Sequence, residues 1–308
     1  MIVTLTPNPS LDRTVRLEEL VPGVVNRTSP ARVEASGKGV NVTRVLSAHR
    51  RSSVAVLPAG GAEGYQLVAL LSADGVKVCA VPVGGPVRVN VSVVTPGGQT
   101  TKLNEPGPLL SASDIEALLA ATVDAVRGAR WLVIAGTLPP GTGPDLVARA
   151  VVAGQAAGAR VAVDTSGPAL IAAAHAGADL LTPNVAELAE TTGRPIVTLT
   201  DAVEAADQLG PAVLVSLGGD GALLVSPEHC LHAVPPPIDV VNTVGAGDAL
   251  LAGWVADETD DPAARLARAV AWGSSACLAV GTADLPEHPV TADAVTIRYP
   301  RRPAGTAS

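Results

Sequence analysis

The sequence predicts an α/β protein with a mainly parallel sheet covered by helices on both faces, plus a small β-sheet flap near the N-terminus. From about residue 107 onward, helical patterns alternate with short apolar runs, which is typical of a doubly wound parallel sheet. The first hundred residues instead contain short strands punctuated by Pro and Gly. The composition is 47% apolar without any Phe, so Val, Leu, Ala and Ile must fill the core, which suits a sheet between helices.

The N-terminal part supplies the first strand and the predicted flap. Met1-Ile-Val-Thr-Leu-Thr-Pro7 has the pattern of a strand, and short strands follow within about 11–36 and 86–106. Residues 87–94 alternate apolar and polar side chains, so one face of this strand is expected to be wet or to meet a partner. We therefore predict a small antiparallel flap against the main sheet.

The remaining elements follow in alternation. Ser113-Asp-Ile-Glu116 resembles a capping box at the start of a helix. Strands are predicted at 131–135, 160–164, 179–182 and 212–216, and helices at 144–158, 168–176 and 184–192. A hairpin partner at 222–225 and helices near 247–257 and 262–280 complete the pattern. Residues 1–298 are interpreted as one domain and residues 299–308 as a disordered tail.

Charge and cysteine content exclude several classes of protein. The net charge of −8 argues against nucleic acid or an anionic membrane as the main partner. The sequence contains no run of 18 apolar residues, so no membrane span is predicted. The N-terminus lacks the pattern of a signal peptide. The three cysteines are far apart and form no CxxC pair, so reduced thiols and a cytoplasmic location are expected.

The strongest candidate site is the Gly-rich turn 242–248, which an extended segment enters and an apolar helix follows. Gly245, Ala246 and Gly247 can turn successive N–H groups toward one point, where the start of the helix adds partial positive charge. Such a nest suits a phosphoryl group in transfer. Asp248 would lie in the first helical turn, where it could accept a proton from an attacking hydroxyl. The alternative is an ordinary tight turn. The P-loop and dinucleotide patterns both fail on spacing.

A second candidate is Gly37-Lys-Gly-Val-Asn41, which contains one of only three lysines in the chain. The glycines are expected to allow a ligand to approach closely, and Lys38 supplies a point charge for an oxyanion. Asn41 can bind hydroxyls as donor and acceptor. The alternative is a flexible loop with a solvated Lys38.

Three weaker candidates involve carboxylates and a strand arginine. Asn184 and Glu187 share a helix face and could hold water around Mg²⁺, although this motif alone favours a simple helix cap. Asp12 follows the first strand, at the edge where open α/β sheets bind ligands, and could accept sugar hydroxyls. Arg88 and Asn90 project from one face of the flap strand, where Arg88 could clamp a phosphate.

Taken together, the motifs resemble ribokinase-like carbohydrate kinases of the phosphofructokinase-B type. They are, in order, Asn8-Pro-x-x-Asp12, Gly37-Lys-Gly-x-Asn41, Gly136-Thr-Leu-Pro-Pro-Gly141, Asn184-x-x-Glu187, Ser216-Leu-Gly-x-x-Gly221 and Thr243-x-Gly-Ala-Gly-Asp248. Segments 26–28, 37–46 and 101–107 are most similar to the branch of 1-phosphofructokinases and tagatose-6-phosphate kinases. This resemblance covers the chain to about residue 285.

The resemblance implies a three-layer α/β/α sandwich with a β-strand lid, ATP as phosphoryl donor, Mg²⁺ as cofactor and a homodimer formed through the lid strands. Asp248 would be the base, and the N–H groups of residues 245–248 the anion hole. The implied substrate-binding residues are Asp12, Gly37, Lys38, Asn41, Arg88 and Asn90. The implied ATP-binding residues are Asn184, Ser216, Gly218, Gly221, Thr243, Gly245 and Gly247, with Asn184 and Glu187 holding Mg²⁺ through water.

Fructose 1-phosphate is the first expected substrate, and tagatose 6-phosphate and fructose 6-phosphate are alternatives. A kinase of an unphosphorylated sugar would leave Lys38 and Arg88 without a phosphate to bind. Three departures from the family pattern stand out. Thr182 replaces a common lysine, Ser36 replaces a common glycine, and Asn242 replaces a common aspartate. The lost lysine keeps open a sugar-phosphate sensor without catalysis as the alternative to an enzyme.

Overall fold

A computed structural model describes residues 1–256 and 261–302. Its strands are β1 (Ile2–Leu5), β2 (Ser10–Arg16), β3 (Arg32–Ser36), β4 (Ser53–Ala59), β5 (Lys77–Pro82), β6 (Arg88–Val94), β7 (Thr100–Asn104), β8 (Trp131–Ala135), β9 (Arg160–Asp164), β10 (Leu180–Leu181), β11 (Ala212–Ser216), β12 (Ala222–Val225), β13 (Cys230–Val234) and β14 (Thr296–Arg298). Its helices are α1 (Lys38–Ala48), α2 (Gly61–Ala73), α3 (Ala112–Val126), α4 (Asp145–Ala156), α5 (Gly167–His175), α6 (Val185–Thr192), α7 (Leu199–Asp207), α8 (Ala246–Val255) and α9 (Pro262–Ala276).

The main sheet has ten strands in the order β14-β13-β12-β11-β10-β9-β8-β1-β4-β5. The seven strands from β11 to β5 run parallel, and β12, β13 and β14 extend the sheet antiparallel. One buried cluster packs α3 to α7 against one face of this sheet, and a second packs α1, α8 and α9 against the other. The predicted three-layer α/β/α architecture with a mainly parallel sheet is confirmed.

A separate four-stranded sheet, in the order β3-β2-β6-β7, forms the lid. The prediction of an antiparallel flap is wrong for its central pair, because β2 and β6 run parallel. The reason lies in the main sheet. β1 and β5 run parallel in the main sheet. The chain passes from β1 into β2 and from β5 into β6, so β2 and β6 enter the lid in the same direction. A parallel pair needs a long crossover connection, and here the crossover runs through α1, β4, α2 and β5.

The start of α3 lies earlier than predicted. The capping box is formed by Ser111 and Asp114, not by Ser113 and Glu116. Asp114 N donates to Ser111 Oγ (3.1 Å), and Ser111 N donates to Asp114 Oδ2 (2.9 Å). Two predicted elements are shorter in the structure, since strand 179–182 is reduced to β10 and helix 262–280 ends with α9.

Two further features to compare with the sequence analysis are the C-terminal tail and the length of the helices. Arg302, within the predicted tail, lies 3.7 Å from the carboxylate of Asp207. Residues 303–308 lie outside the described residues, so disorder there stays a prediction. Within the described ranges, no helix is both long enough and apolar enough to cross a membrane.

Candidate active site

Two adjoining pockets lie beside the start of α8. The first, here called the acidic pocket, has a volume of about 280 Å³ and contains the side chains of Lys38, Asp164, Glu187 and Asp248. The second, here called the groove, has a volume of about 530 Å³ and is lined by Pro235–Ile238, the start of α8 and one side of α9. Ser216, Gly247 and Leu250 line both pockets, so the groove leads directly into the acidic pocket.

The turn before α8 adopts the conformation that its glycines predict. Gly245 has φ 83° and ψ 0°, and a Cβ there would lie 2.4 Å from Thr282 Cγ2, so both backbone and packing require glycine. A Cβ on Gly247 would meet no protein atom within 4 Å, because this residue faces the open pocket. No side chain caps the helix. Ala246 N donates to the carbonyl oxygen of Thr243 (3.3 Å), and the N–H groups of Gly247 and Asp248 remain available to an anion in the acidic pocket.

Asp248 is buried in this first turn, with 7% of its surface exposed. Burial raises the pKa of Asp248 from an ordinary 3.8 to about 7, and the negative charge of Asp164 acts in the same direction. A hydrogen bond from Asn41 Nδ2 to Asp248 Oδ2 (2.8 Å) and the charge of Lys38 oppose this increase. Asp248 is consequently a carboxylate that can take up a proton near neutral pH.

Lys38 lies among carboxylates instead of at the lid. Its Nζ donates to Asp164 Oδ1 (2.7 Å) and lies 3.3 Å from Glu187 Oε1. Burial alone lowers the pKa of Lys38, but the attraction of Asp164, Glu187 and Asp248 outweighs it and raises the pKa above its usual value. Burial in turn raises the pKa of Asp164, against the effect of Lys38. A role of Lys38 at the sugar phosphate, beside Arg88, stays a prediction.

Sequence reasoning missed Asp164. The available signal was a carboxylate at the carboxyl end of a predicted apolar strand, the same feature that singled out Asp12. The glycines around Lys38 also have a role in packing. A Cβ on Gly37 would lie 2.9 Å from Thr6 Cγ2, and one on Gly39 would lie 2.4 Å from Thr6 Oγ1. These glycines allow α1 to pack against the end of β1, and their contact with a ligand stays a prediction.

Asn184 and Glu187 form a capping box at the start of α6. Glu187 N donates to Asn184 Oδ1 (2.9 Å), and Asn184 N donates to Glu187 Oε2 (2.9 Å). Glu187 Oε1 still faces Lys38, so the cap and a place at the acidic pocket are compatible. Among the described residues, no group of three or more His, Cys, Asp or Glu could hold a metal ion by itself.

The lid side of the site is built on the pairing of β2 with β6. Asp12 lies opposite Asn90 in this register, and Asn90 Nδ2 donates to Asp12 Oδ1 (2.9 Å). The buried amide oxygens of Asn41 and Asn90 have no hydrogen-bond partner in the described part of the chain. Burial lowers the pKa of Arg88, although the charge of Asp12 opposes this. These groups are polar, convergent and available to a ligand rich in hydroxyls.

The residues predicted to bind ATP are brought together. Asn184, Ser216, Gly218, Gly221, Thr243, Gly245 and Gly247 each line the acidic pocket, the groove or both. The apolar lining from Pro235–Ile238 and α9 was missed, because no motif marks it.

Two of the departures from the family pattern can also be located. Asn242 Oδ1 accepts from Val244 N (3.0 Å) within the turn, so this oxygen does not cap α8. Thr182 lines the acidic pocket together with Lys38 and the carboxylates.

Comparison with known proteins agrees with this geometry. Residues 6–288 match the pfkB family carbohydrate kinase. The chain belongs to this family. It is 39% identical over 261 residues to a 1-phosphofructokinase of Rhodobacter capsulatus, with 82% of each chain covered. It is 36% identical over 291 residues to the ATP-dependent 6-phosphofructokinase isozyme 2 of Escherichia coli, covering 91% of this chain and 94% of the relative. The crystal structure of Escherichia coli phosphofructokinase-2 with fructose-6-phosphate superposes with a TM-score of 0.84 at 34% identity, covering 90% and 93% of the chains.

Proposed function

We propose that this pfkB family kinase transfers the γ-phosphoryl group of ATP to a free hydroxyl of fructose 1-phosphate, giving fructose 1,6-bisphosphate. The observation that carries the proposal is the buried Asp248 at the uncapped start of α8, between the groove and the lid residues. The 1-phosphofructokinase of Rhodobacter capsulatus supports the choice of substrate. A 6-phosphofructokinase activity is the second candidate, because the Escherichia coli relative matches a longer part of the chain.

Asp248 would remove the proton from the attacking hydroxyl. A general base works best when its pKa is close to the working pH, and the pKa of Asp248 is about 7. The hydroxyl oxygen then attacks the γ-phosphorus, and ADP leaves with the electron pair of the broken P–O bond. The N–H groups of residues 245–248 would stabilise the negative charge that spreads over the phosphoryl oxygens.

The sugar phosphate would lie under the lid. Asp12 and the unpartnered amide oxygens of Asn41 and Asn90 are suitable acceptors for sugar hydroxyls. The guanidinium of Arg88 would bind the phosphate already present on the sugar, since it offers paired donors to phosphate oxygens. Gly37 would border the sugar through its backbone.

ATP would place its base in the groove and its phosphates at the acidic pocket. The apolar walls of the groove suit a purine, and Gly218 and Gly221 allow the backbone to pass close to it. The phosphates would then reach Gly245 and Gly247 at the start of α8.

The acidic pocket fits Mg²⁺ as the cofactor. Among the described residues, three carboxylates and one ammonium face it, so a triphosphate would meet a net negative surface unless a divalent cation accompanied it. Magnesium keeps several waters and uses one or two carboxylates with substrate phosphates. Asn184 and Glu187 would hold it through water, and the ion would neutralise phosphate charge. ATP affinity measured by calorimetry, with and without Mg²⁺, tests this. Equal affinity in both conditions would contradict it.

The lid would also join two copies of the chain in a homodimer. β7 is an edge strand of the lid sheet, and all five of its residues are exposed, including Leu103 at 60%. An unpaired edge next to exposed apolar side chains favours pairing with a second copy. Sedimentation velocity should give a dimer for the wild-type chain and a monomer for Leu103→Lys. A monomeric wild-type chain would contradict this proposal.

A coupled ADP-release assay with fructose 1-phosphate, tagatose 6-phosphate and fructose 6-phosphate tests the function. We expect the highest kcat/KM with fructose 1-phosphate. Highest activity with either of the other two would move the assignment to that substrate. Binding of sugar phosphate without ADP release from any of them would instead indicate a sensor.

A further inference from the structure

The Gly-rich turn before α8 lies against the stretch of chain that follows α9, residues 277–284, here called the support segment. A Cβ on Gly245 would come within 2.4 Å of Thr282 Cγ2 and 3.0 Å of the Thr282 carbonyl oxygen, so the turn packs directly on this segment. Just before the turn, Val241 N donates to the carbonyl oxygen of Cys277 (2.8 Å). The support segment therefore contacts the turn at both its entry and its centre.

The side chain of Asn242 ties the turn to the support segment. Its Oδ1 accepts from Val244 N within the turn (3.0 Å), and its Nδ2 donates to the carbonyl oxygen of Val280 in the segment (3.0 Å). The two partners fix the orientation of the amide, because a backbone N–H must face its oxygen and a carbonyl must face its nitrogen. Aspartate has the same shape but, when ionised, has no proton to donate. It could keep the bond to Val244 and would turn its second oxygen against the carbonyl of Val280.

The support segment is also held from the side of the lid. Arg32, on the lid strand β3, lies with its Nη2 3.6 Å from Asp284 Oδ2. A Cβ on Gly281 would come within 2.5 Å of Arg32 Nη2, so the guanidinium lies directly against the segment. Val280 also borders a small cavity together with Thr14 and Arg32 of the lid. The segment thus lies between the lid and the turn and gives Asn242 a fixed partner.

The turn needs such a support because its own backbone is adaptable. Glycines at 245 and 247 leave the chain free to bend, and within the described residues no side chain caps α8. The N–H groups of Gly247 and Asp248 are the donors that face the acidic pocket. Donors stabilise the charge of a transition state most when they are already aligned, since no energy is then needed to reorganise them. Hydrogen bonds also weaken steeply as their angle departs from linear.

We propose that Asn242 is a positioning residue for the anion hole. Its amide fastens the turn to the support segment, and this holds the N–H groups of Gly247 and Asp248 in line with the oxygens of the phosphoryl group in transfer. Asn242 itself does not touch the substrate. This role rests on the proposed kinase function and deepens it.

Steady-state kinetics of Asn242→Asp with fructose 1-phosphate and MgATP test the assignment. The variant retains an acceptor for Val244 N but sets a negative oxygen against the carbonyl oxygen of Val280. A lost hydrogen bond that leaves its partner unsatisfied changes a rate or equilibrium constant by about 5- to 100-fold, so kcat should fall by about 10- to 100-fold. The KM for each substrate should stay within about threefold of the wild-type value, because the misaligned donors act in the transition state. A folded variant with wild-type kcat would overturn the proposal.

A mimic of the transition state gives a readout that a purely structural role would not change. MgADP with aluminium fluoride places a planar anion where the phosphoryl group passes between the base and ADP, and such mimics bind through transition-state contacts. Calorimetry in the presence of fructose 1-phosphate should show that Asn242→Asp loses affinity for this mimic by about the same factor as kcat. Its affinity for MgATP alone should change by less than about threefold. Equal losses of the two affinities would indicate a general distortion of the nucleotide site and contradict the assignment.

Gln155→Glu is the matched control for stability. Gln155 Nε2 donates to the carbonyl oxygen of Gly177 (2.7 Å), so this variant also replaces an amide by a carboxylate against a backbone carbonyl. Gly177 lies in the loop that leads into β10, and β9 and β10 are parallel, so this pair is at the opposite edge of the sheet from Asp164. Gln155→Glu should lower Tm and leave kcat unchanged. If it lowered kcat as much as Asn242→Asp does, lost stability would explain both results and the proposal would fail.

The wild-type chain in the same assay keeps the two proposals distinguishable. No ADP release from the wild type with any of the three sugar phosphates would count against the proposed function. An unchanged kcat in folded Asn242→Asp, beside an active wild type, would overturn the role of Asn242 alone.

Discussion

Replacing Asp248 by Asn removes the proposed base while keeping the shape of the site. Asparagine retains an oxygen that can accept from Asn41 Nδ2, which now donates to Asp248 Oδ2 at 2.8 Å. It cannot take a proton from a hydroxyl. Turnover should therefore fall by about 10²–10⁴, the usual contribution of a general base, while the affinities for ATP and fructose 1-phosphate remain.

At high pH, Asp248→Asn should also be more stable to unfolding than the wild type. A pKa raised from 3.8 to about 7 means that ionised Asp248 costs the folded state about 4 kcal/mol relative to the unfolded chain. The pKa of Asp248 is higher in the folded state than in the unfolded chain, so the protonated side chain stabilises the fold relative to the ionised one. This contribution is complete below about pH 4 and is lost as the pH rises through about 7. Asp248→Asn cannot ionise, so its advantage over the wild type should grow by about 2–3 kcal/mol between pH 5 and pH 8.5.

Urea unfolding at these two pH values measures the stability, and coupled ADP release at pH 8 measures turnover. Asp124→Asn is the control, since Asp124 is exposed on α3 and pairs with the neighbouring, exposed Arg127, at 3.2 Å. It should change neither quantity. Turnover of Asp248→Asn within tenfold of wild type, or a stability difference independent of pH, would refute the reasoning.

Three further predictions follow from the same geometry. The kcat/KM of the wild type should fall about tenfold per pH unit below pH 7, because Asp248 must be ionised to act as a base, and a flat profile from pH 5 to 8 would contradict this. Arg88→Ala should raise the KM for sugar phosphate more than that for ATP, and equal effects would argue against its phosphate role. Gly247→Ala should keep or slightly raise thermal stability, because Ala favours helix by about 1 kcal/mol and its methyl group meets no protein atom. Its turnover should nevertheless fall, since that methyl group enters the space of the phosphates, and full activity would rule out this crowding.

The structural features that the sequence predicts well are those that depend on local patterns. The alternation of apolar runs with helical periodicity depends only on neighbouring residues. It predicts the order and the approximate bounds of most elements from β8 to α8, although α7 and β13 were not predicted. The Gly-rich turn could also be recognised, because positive φ at Gly245 and an acidic residue in the first helical turn are local requirements. The lid was located correctly, but its central parallel pair was not predicted, because its pairing depends on where β1 and β5 lie in another sheet.

At the candidate site, too, some properties could be predicted from the sequence and others could not. The residue types that could serve at the site, including the proposed base Asp248, follow from the sequence and its resemblance to the pfkB family. Distances between remote residues do not. Lys38 and Asp164 are 126 positions apart, and only the parallel order of the sheet brings the helix after β3 next to the end of β9. For this reason only the structure shows that Lys38 lies among carboxylates.

The turn at 245–248 is the part of this protein that its sequence determines alone, because a nest of N–H groups needs only glycine and a helix start. Only the tertiary structure sets the pKa of Asp248 within this turn. Burial in the acidic pocket, the charge of Asp164 and the amide of Asn41 act on Asp248 through space, and together they bring its pKa to about 7. Electrostatic free energies depend on distance and solvent exposure, and folding sets both of these.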